Sequence, residues 1–188
     1  MDLFDKQIIK GAEFSECRRY RYALWRTWDP ESPRRIMFVG LNPSTADEIV
    51  DDPTIRRCIN FSKAWGYGGM FMLNAYGFRA TDPKVMQATE EPVGSGNDAA
   101  FRKYRDQVQM IIAAWGVHCD PQREQRIFRI LECPVHCLGT SKHGRPRHPL
   151  YMRSAVEPAL FWSPDNEASG ESVSGTTKPP EGRHRLET

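Results

Sequence analysis

The stretch Arg35-Ile-Met-Phe-Val-Gly-Leu-Asn-Pro-Ser44 decides the fold of this chain. It begins as an uninterrupted apolar run, which is typical of a central strand covered on both faces. A polar loop follows, and Asp52 with Pro53 behind it predicts the start of a helix, because aspartate caps helices and proline is favoured in their first turn. A buried strand, a polar loop and a helix in this order indicate an α/β domain.

The alternation of strands and helices continues along the chain. Strands are predicted over residues 18–28, 35–41, 69–75, 110–115 and 134–138, and helices over residues 53–64, 97–109, 121–131 and 150–161. We expect the first two strands to form a hairpin, and the first fifteen or so residues to be peripheral. The pattern predicts a three-layer α/β/α fold whose mostly parallel central sheet has four to five strands.

Composition and charge restrict the class of protein. The 188 residues suffice for one domain, which we predict over residues 1–163, followed by a disordered tail over 164–188 that has few large apolar residues. The tail has five acids and three bases, so the predicted domain carries most of the positive charge. With no signal peptide, membrane span or recognisable metal-ligand set, we expect a cytoplasmic monomer that does not bind membranes and needs no metal or cofactor.

Polar side chains follow two of the buried strands. In parallel sheets, ligands bind beyond the carboxyl ends of the strands. Gly40 permits a close approach of the backbone, and Asn42 has a carbonyl that can orient a water molecule. Asn74 ends the next strand, where its amide can read the edge of a base. Tyr76 and Phe78 follow it and could stack on that base.

A third loop, over residues 139–153, is basic. It has four lysines and arginines, two histidines and no acid. Such a cluster of cations suits a phosphate backbone. The loop therefore predicts contact with nucleic acid.

Three motifs in these loops resemble the uracil-DNA glycosylase superfamily, and its mismatch-specific uracil/thymine branch in particular. They are Val39-Gly-Leu-Asn-Pro43, Leu73-Asn74 and His148-Pro149-Leu150. The likeness extends over about residues 17–162 to an uncharacterised bacterial and phage family that has the same Gly-Leu-Asn-Pro-Ser and Arg-His-Pro-Leu-Tyr motifs.

The resemblance implies a uracil-DNA glycosylase-like fold and a monofunctional DNA glycosylase. Such an enzyme flips a pyrimidine out of double-stranded DNA and hydrolyses its N-glycosidic bond to leave an abasic site. By this likeness Asn42 positions the attacking water, and Asn74 reads the base. His148 stabilises the departing base, and Leu150 wedges into the duplex.

The predicted site residues fall into three groups. The catalytic group is Asn42, His148 and Asp47; the base-binding group is Gly40, Leu41, Pro43, Asn74, Tyr76 and Phe78; the DNA-binding group is Ser44, Lys142, His143, Arg145, Arg147, Leu150 and Tyr151.

The motifs depart from the superfamily in ways that leave alternatives open. Ser44 stands where many members have glycine, and no serine follows His148-Pro149. Asp47, Asp51 and Asp52 could assist or replace Asn42. The alternatives are a non-catalytic nucleic-acid-binding protein, an enzyme acting on free nucleotides, and a metal-dependent nuclease or phosphohydrolase that uses the three aspartates. The base is either uracil or a modified pyrimidine, such as a glucosylated hydroxymethylcytosine of phage, which would indicate antiviral defence.

Overall fold

A computed structural model describes residues 8–165 of the chain. The strands are β1 (Ile9–Phe14), β2 (Arg21–Thr27), β3 (Arg35–Gly40), β4 (Gly69–Asn74), β5 (Met110–Ala113), β6 (Val135–Cys137) and β7 (Ala159–Trp162). The helices are α1 (Pro53–Ala64), α2 (Pro83–Gln87), α3 (Asn97–Arg105) and α4 (Pro121–Leu131), with short 3-10 helices at Gly116–His118 and Pro149–Tyr151. The predicted tail lies outside the described residues, apart from 164 and 165.

The fold is α/β, as predicted, but its sheet is larger than expected and mixed. The seven strands lie in the order β1-β2-β4-β3-β5-β6-β7. The central strands β4, β3, β5 and β6 are parallel, whereas β1, β2 and β7 run antiparallel to their neighbours. The prediction of a mostly parallel sheet with four to five strands was therefore wrong, because antiparallel strands extend both sides of the parallel centre.

The predicted hairpin of residues 18–28 with 35–41 was also wrong. Strand β2 pairs with β4, in a register that places Leu24 opposite Met72, and β4 separates β2 from β3. Both sides of β3 are occupied by the parallel strands β4 and β5. Periodicity identifies a strand, but its neighbours depend on contacts that are distant in sequence.

The ends of the described chain differ most from the predictions. Residues 9–14, expected to be peripheral, form the edge strand β1 against β2. The helix predicted over 150–161 is replaced by the 3-10 helix and by β7. Pro158 explains this, since proline has no N–H for a helix and disfavours helical backbone at the residue before it.

Helices cover both faces of the sheet. On β3, Ile36 and Phe38 pack into the core beneath α1, whereas Met37 and Val39 belong to the core beneath α3 and α4. Asp52 caps α1 as predicted, because its carboxylate accepts a hydrogen bond from the backbone N–H of Ile55 at 2.8 Å. Within residues 8–165, no helix is both long enough and apolar enough to cross a membrane.

Candidate functional site

A cleft of about 610 Å³ opens at the carboxyl ends of β3, β4 and β5. It brings together residues from all three loops that the sequence singled out. Nine of the predicted site residues line it: Gly40, Leu41, Asn42, Ser44, Asn74, Arg147, His148, Leu150 and Tyr151. The other seven (Pro43, Asp47, Tyr76, Phe78, Lys142, His143 and Arg145) do not.

Asn42 is held by its amide nitrogen. Its Nδ2 donates hydrogen bonds to the backbone carbonyl of Ala80 at 2.7 Å and to that of Pro43 at 3.2 Å. Oδ1 has no partner among residues 8–165, so it is the atom left to bind a ligand or a water molecule.

Asn74, by contrast, is held by its amide oxygen. The side chain is only 4% exposed, and its Oδ1 accepts a hydrogen bond from Nη2 of Arg21 at 3.2 Å. Its Nδ2 lies close to Gly40, where an added Cβ would meet it at 2.7 Å. The glycine at the end of β3 therefore makes room for the amide nitrogen of Asn74, which is left as a hydrogen-bond donor.

His148 is half-buried and lines the same cleft, where it caps the second 3-10 helix. Its Nδ1 accepts a hydrogen bond from the backbone N–H of Leu150 at 3.3 Å, so the proton of the neutral ring is on Nε2. Burial lowers the pKa of His148 below its ordinary value of 6.5, and the negative charge of Asp52 opposes this shift. At neutral pH the ring is therefore an uncharged hydrogen-bond donor.

The three aspartates of the loop after β3 have separate partners. Asp47 accepts hydrogen bonds from the backbone N–H groups of Ile49 and Val50, which lower the pKa of its carboxyl. Asp51 forms an ion pair of 2.6 Å with Arg26. Only Asp52 lines the cleft.

Asp47 therefore shapes its own loop and lies outside the site, so we do not assign it a catalytic role. In the described part of the chain, no three histidine, cysteine or acidic side chains lie together in a group that could hold a metal ion.

Three other predicted residues serve the framework. The Tyr76 hydroxyl accepts a hydrogen bond from the backbone N–H of Asp120 at 3.1 Å, and the ring of Phe78 packs edge-on against Tyr20 at 5.6 Å. Arg145 forms an ion pair of 2.5 Å with Glu124. The two aromatic rings belong to the core, as large apolar side chains near strand ends often do, so neither is placed to stack on a base.

Several residues that line the cleft were not among the predicted site residues, and Arg21 and Trp115 are two of them. Arg21 is 2% exposed, and its Nη1 donates a hydrogen bond to the backbone carbonyl of Ala46 at 2.6 Å. Trp115 also lines the cleft, and its indole N–H donates a hydrogen bond of 3.0 Å to Glu124. Arg21 lies in the strand predicted over residues 18–28, and nothing in the pattern of that segment pointed to the cleft. However, β2 lies between two other strands, and its arginines are buried.

Exposed cations lie on the segment that brings Arg147, His148, Leu150 and Tyr151 to the cleft. Lys142, Arg147 and Arg153 are exposed, and none has an acidic partner among residues 8–165. Leu150 and Tyr151 are 45% and 81% exposed beside them. The rim is therefore both basic and apolar.

Comparison with known proteins gives the family. No curated protein and no solved structure matches the chain. A family described as "Protein of unknown function (DUF1643)" matches residues 21–150, a range that includes Arg21, Asn42, Asn74 and His148. Because this match covers more than half of the sequence, the chain belongs to the DUF1643 family.

Proposed function

We propose that this protein is a DNA glycosylase that hydrolyses the N-glycosidic bond of a pyrimidine flipped out of double-stranded DNA. One observation carries the proposal: Asn42, Asn74 and His148, which lie far apart in the sequence, line the same cleft. They correspond to the three motifs that resemble the uracil-DNA glycosylase superfamily. We extend the proposal to the fold, since four parallel strands with helices on both faces suit a uracil-DNA glycosylase-like domain.

The chemistry that this site supports is hydrolysis without electrophilic help from a metal. The bond between C1′ and the base nitrogen breaks, and its electron pair leaves with the base. The oxygen of a water molecule bonds to C1′, and one proton of that water is released to solvent. The free Oδ1 of Asn42 orients this water. The carboxylate of Asp52 stabilises the positive charge that develops on the sugar, because it is an anion in the same cleft.

His148 acts on the departing base. Burial keeps the ring neutral, and Nδ1 is engaged with Leu150, so Nε2–H is the donor that remains. A neutral donor that is held in place stabilises the negative charge that develops on the departing base. Asn74 contributes a second donor through Nδ2.

The rim suits a duplex partner. Arg147 and Lys142 are unpaired cations that can contact phosphates, and the exposed side chains of Leu150 and Tyr151 can fill the gap left by a flipped base. Filling that gap offsets part of the few kcal/mol that flipping costs.

The experiment is an excision assay on duplex oligonucleotides bearing uracil, mismatched thymine, hydroxymethylcytosine or glucosylated hydroxymethylcytosine. We expect at least one of them to yield a strand that breaks only after mild alkali. Asn42→Ala should abolish this product, whereas Asn60→Ala, which removes an exposed asparagine on α1, should not.

Two results would contradict the proposal. The first is the absence of an alkali-labile product on every oligonucleotide. The second is cleavage that needs Mg²⁺ and no alkali, which is the behaviour of a nuclease.

A further inference from the structure

Arg21 is a buried cation that forms no ion pair within residues 8–165. Its side chain is 2% exposed, and its hydrogen bonds go to neutral acceptors, the backbone carbonyl of Ala46 and Oδ1 of Asn74. Nε is buried and has no partner among residues 8–165. Arg26 on the same strand is fully buried too, but it forms an ion pair of 2.6 Å with Asp51.

The charges around Arg21 do not balance it. Asp52 and Asp47 attract the guanidinium from a distance, whereas Arg79 and Arg26 repel it. Burial is the largest influence and lowers the pKa of Arg21 to about 10, so the group remains charged at neutral pH. A buried charge that no opposite charge neutralises is costly to the fold, and an anionic ligand in the cleft would offset that cost.

We propose that Arg21 makes the floor of the cleft a site for a planar pyrimidine anion. This inference rests on the proposed function and deepens it, since glycosidic cleavage releases the base as such an anion. Arg21 is a positioning residue: it acts through Asn74, whose Oδ1 it holds and whose Nδ2 faces the ligand. Its positive charge also lowers the free energy of an anion bound beside it.

The position of Arg21 favours a base over a phosphate group. Gly40, Leu41 and Met72 line the cleft together with Arg21 and present apolar surface to it, whereas the carboxylate of Asp52, which also lines the cleft, would repel the higher charge of a phosphate more strongly. A delocalised anion of a flat ring fits such a surface, and the low local dielectric strengthens its attraction to the guanidinium. Phosphates of the DNA backbone remain at the rim, where Arg147 is exposed.

Binding of free ligands to the full chain tests this inference. The probes are barbiturate, which is a pyrimidine anion at neutral pH, uracil, which is a neutral ring of the same size, and inorganic phosphate. Titration calorimetry gives each dissociation constant. We expect barbiturate to bind at least about tenfold more tightly than uracil, a difference of about 1.4 kcal/mol.

Variants then assign the preference to Arg21. Arg21→Gln should remove the preference for barbiturate, because it keeps a donor for Asn74 and loses the charge. Arg21→Lys should retain it. Arg129→Gln, which removes an exposed arginine on α4, should leave it unchanged.

Several outcomes would overturn the inference. They are equal binding of barbiturate and uracil, binding of neither, survival of the preference in Arg21→Gln, and phosphate binding as tight as that of barbiturate. The binding of barbiturate, uracil and phosphate to the wild-type protein tests the inference even if a variant fails to fold. The excision assay tests the proposed function separately. If the protein prefers barbiturate but excises no base, the glycosylase proposal is wrong and the anion site still stands.

Discussion

Nη2 of Arg21 donates a hydrogen bond to Oδ1 of Asn74 at 3.2 Å, which orients the amide of Asn74. The amide nitrogen is left beside Gly40, in a space that a Cβ would occupy. A strand arginine, a strand asparagine and a glycine from a third strand thus cooperate at one point of the cleft. This relationship leads to the first prediction.

Gly40→Ala should destabilise the protein and weaken base recognition. The added Cβ would lie 2.7 Å from Nδ2 of Asn74, so the amide must move. Overpacking of this kind costs about 1–3 kcal/mol, which urea unfolding measures. In the double variant Gly40→Ala/Asn74→Ala the steric conflict is absent, so the cost of the glycine substitution should fall. Additive effects of the two substitutions would contradict the contact.

Substitution of the two buried arginines of β2, Arg21 and Arg26, should lower the free energy of unfolding by different amounts. Arg26→Met removes the 2.6 Å partner of Asp51, which then keeps the longer 3.3 Å ion pair with Lys10, so the loss should be up to about 3 kcal/mol. Arg21→Met breaks no ion pair, so it should destabilise less, while excision is lost. Urea unfolding of the two variants side by side gives the comparison. A larger loss for Arg21→Met would show that Arg21 serves mainly the fold.

His148 should titrate below 6.5. Burial disfavours its charged form, and Asp52 partly offsets this. Asp52→Asn should therefore lower the pKa of His148 further, while asparagine still caps α1. Because the unfolded chain binds the proton more tightly, the contribution of His148 to stability is present above pH 6.5 and is lost as the pH falls through that value toward the folded pKa. NMR titration of the imidazole signals in both proteins checks the sign, and an upward shift in Asp52→Asn would contradict it.

Leu150→Ala should affect duplex DNA selectively. Leu150 is 45% exposed at the rim, so truncating its side chain should change the free energy of unfolding little. If the side chain fills the gap left by a flipped base, excision from a duplex should fall about tenfold, or about 1.4 kcal/mol, with little change on single-stranded DNA. Parallel single-turnover assays on both substrates measure the ratio. Equal losses on the two would argue against a wedge.

The two arginines of the basic loop, Arg145 and Arg147, should have different roles. Arg147→Gln should weaken DNA binding and reduce the slope of log affinity against log salt by about 1, because one phosphate contact is lost. Arg145→Gln should leave that slope unchanged and lower stability, because Arg145 is paired with Glu124 at 2.5 Å. Binding isotherms at several salt concentrations and an unfolding curve separate the two effects.

Local patterns in the sequence determined the central part of the fold. The apolar runs that became β3, β4, β5 and β6, and the start of α1 at Asp52 and Pro53, depend on short-range preferences that a single segment expresses. For the same reason the ends of β3 and β4 could be named as positions of functional side chains. Asn42 and Asn74 indeed line the cleft.

Only the tertiary structure decided which side chains remain available in the cleft. The sequence does not show that Asp47 caps its own loop while Asp52 reaches the cleft, or that Arg145 is neutralised by Glu124. It also does not show that β2 lies inside the sheet, which buries Arg21 beneath Asn74. The physical reason is that pairing of distant strands and ion pairs between distant loops depend on the whole arrangement, whereas periodicity and capping depend on a few consecutive residues.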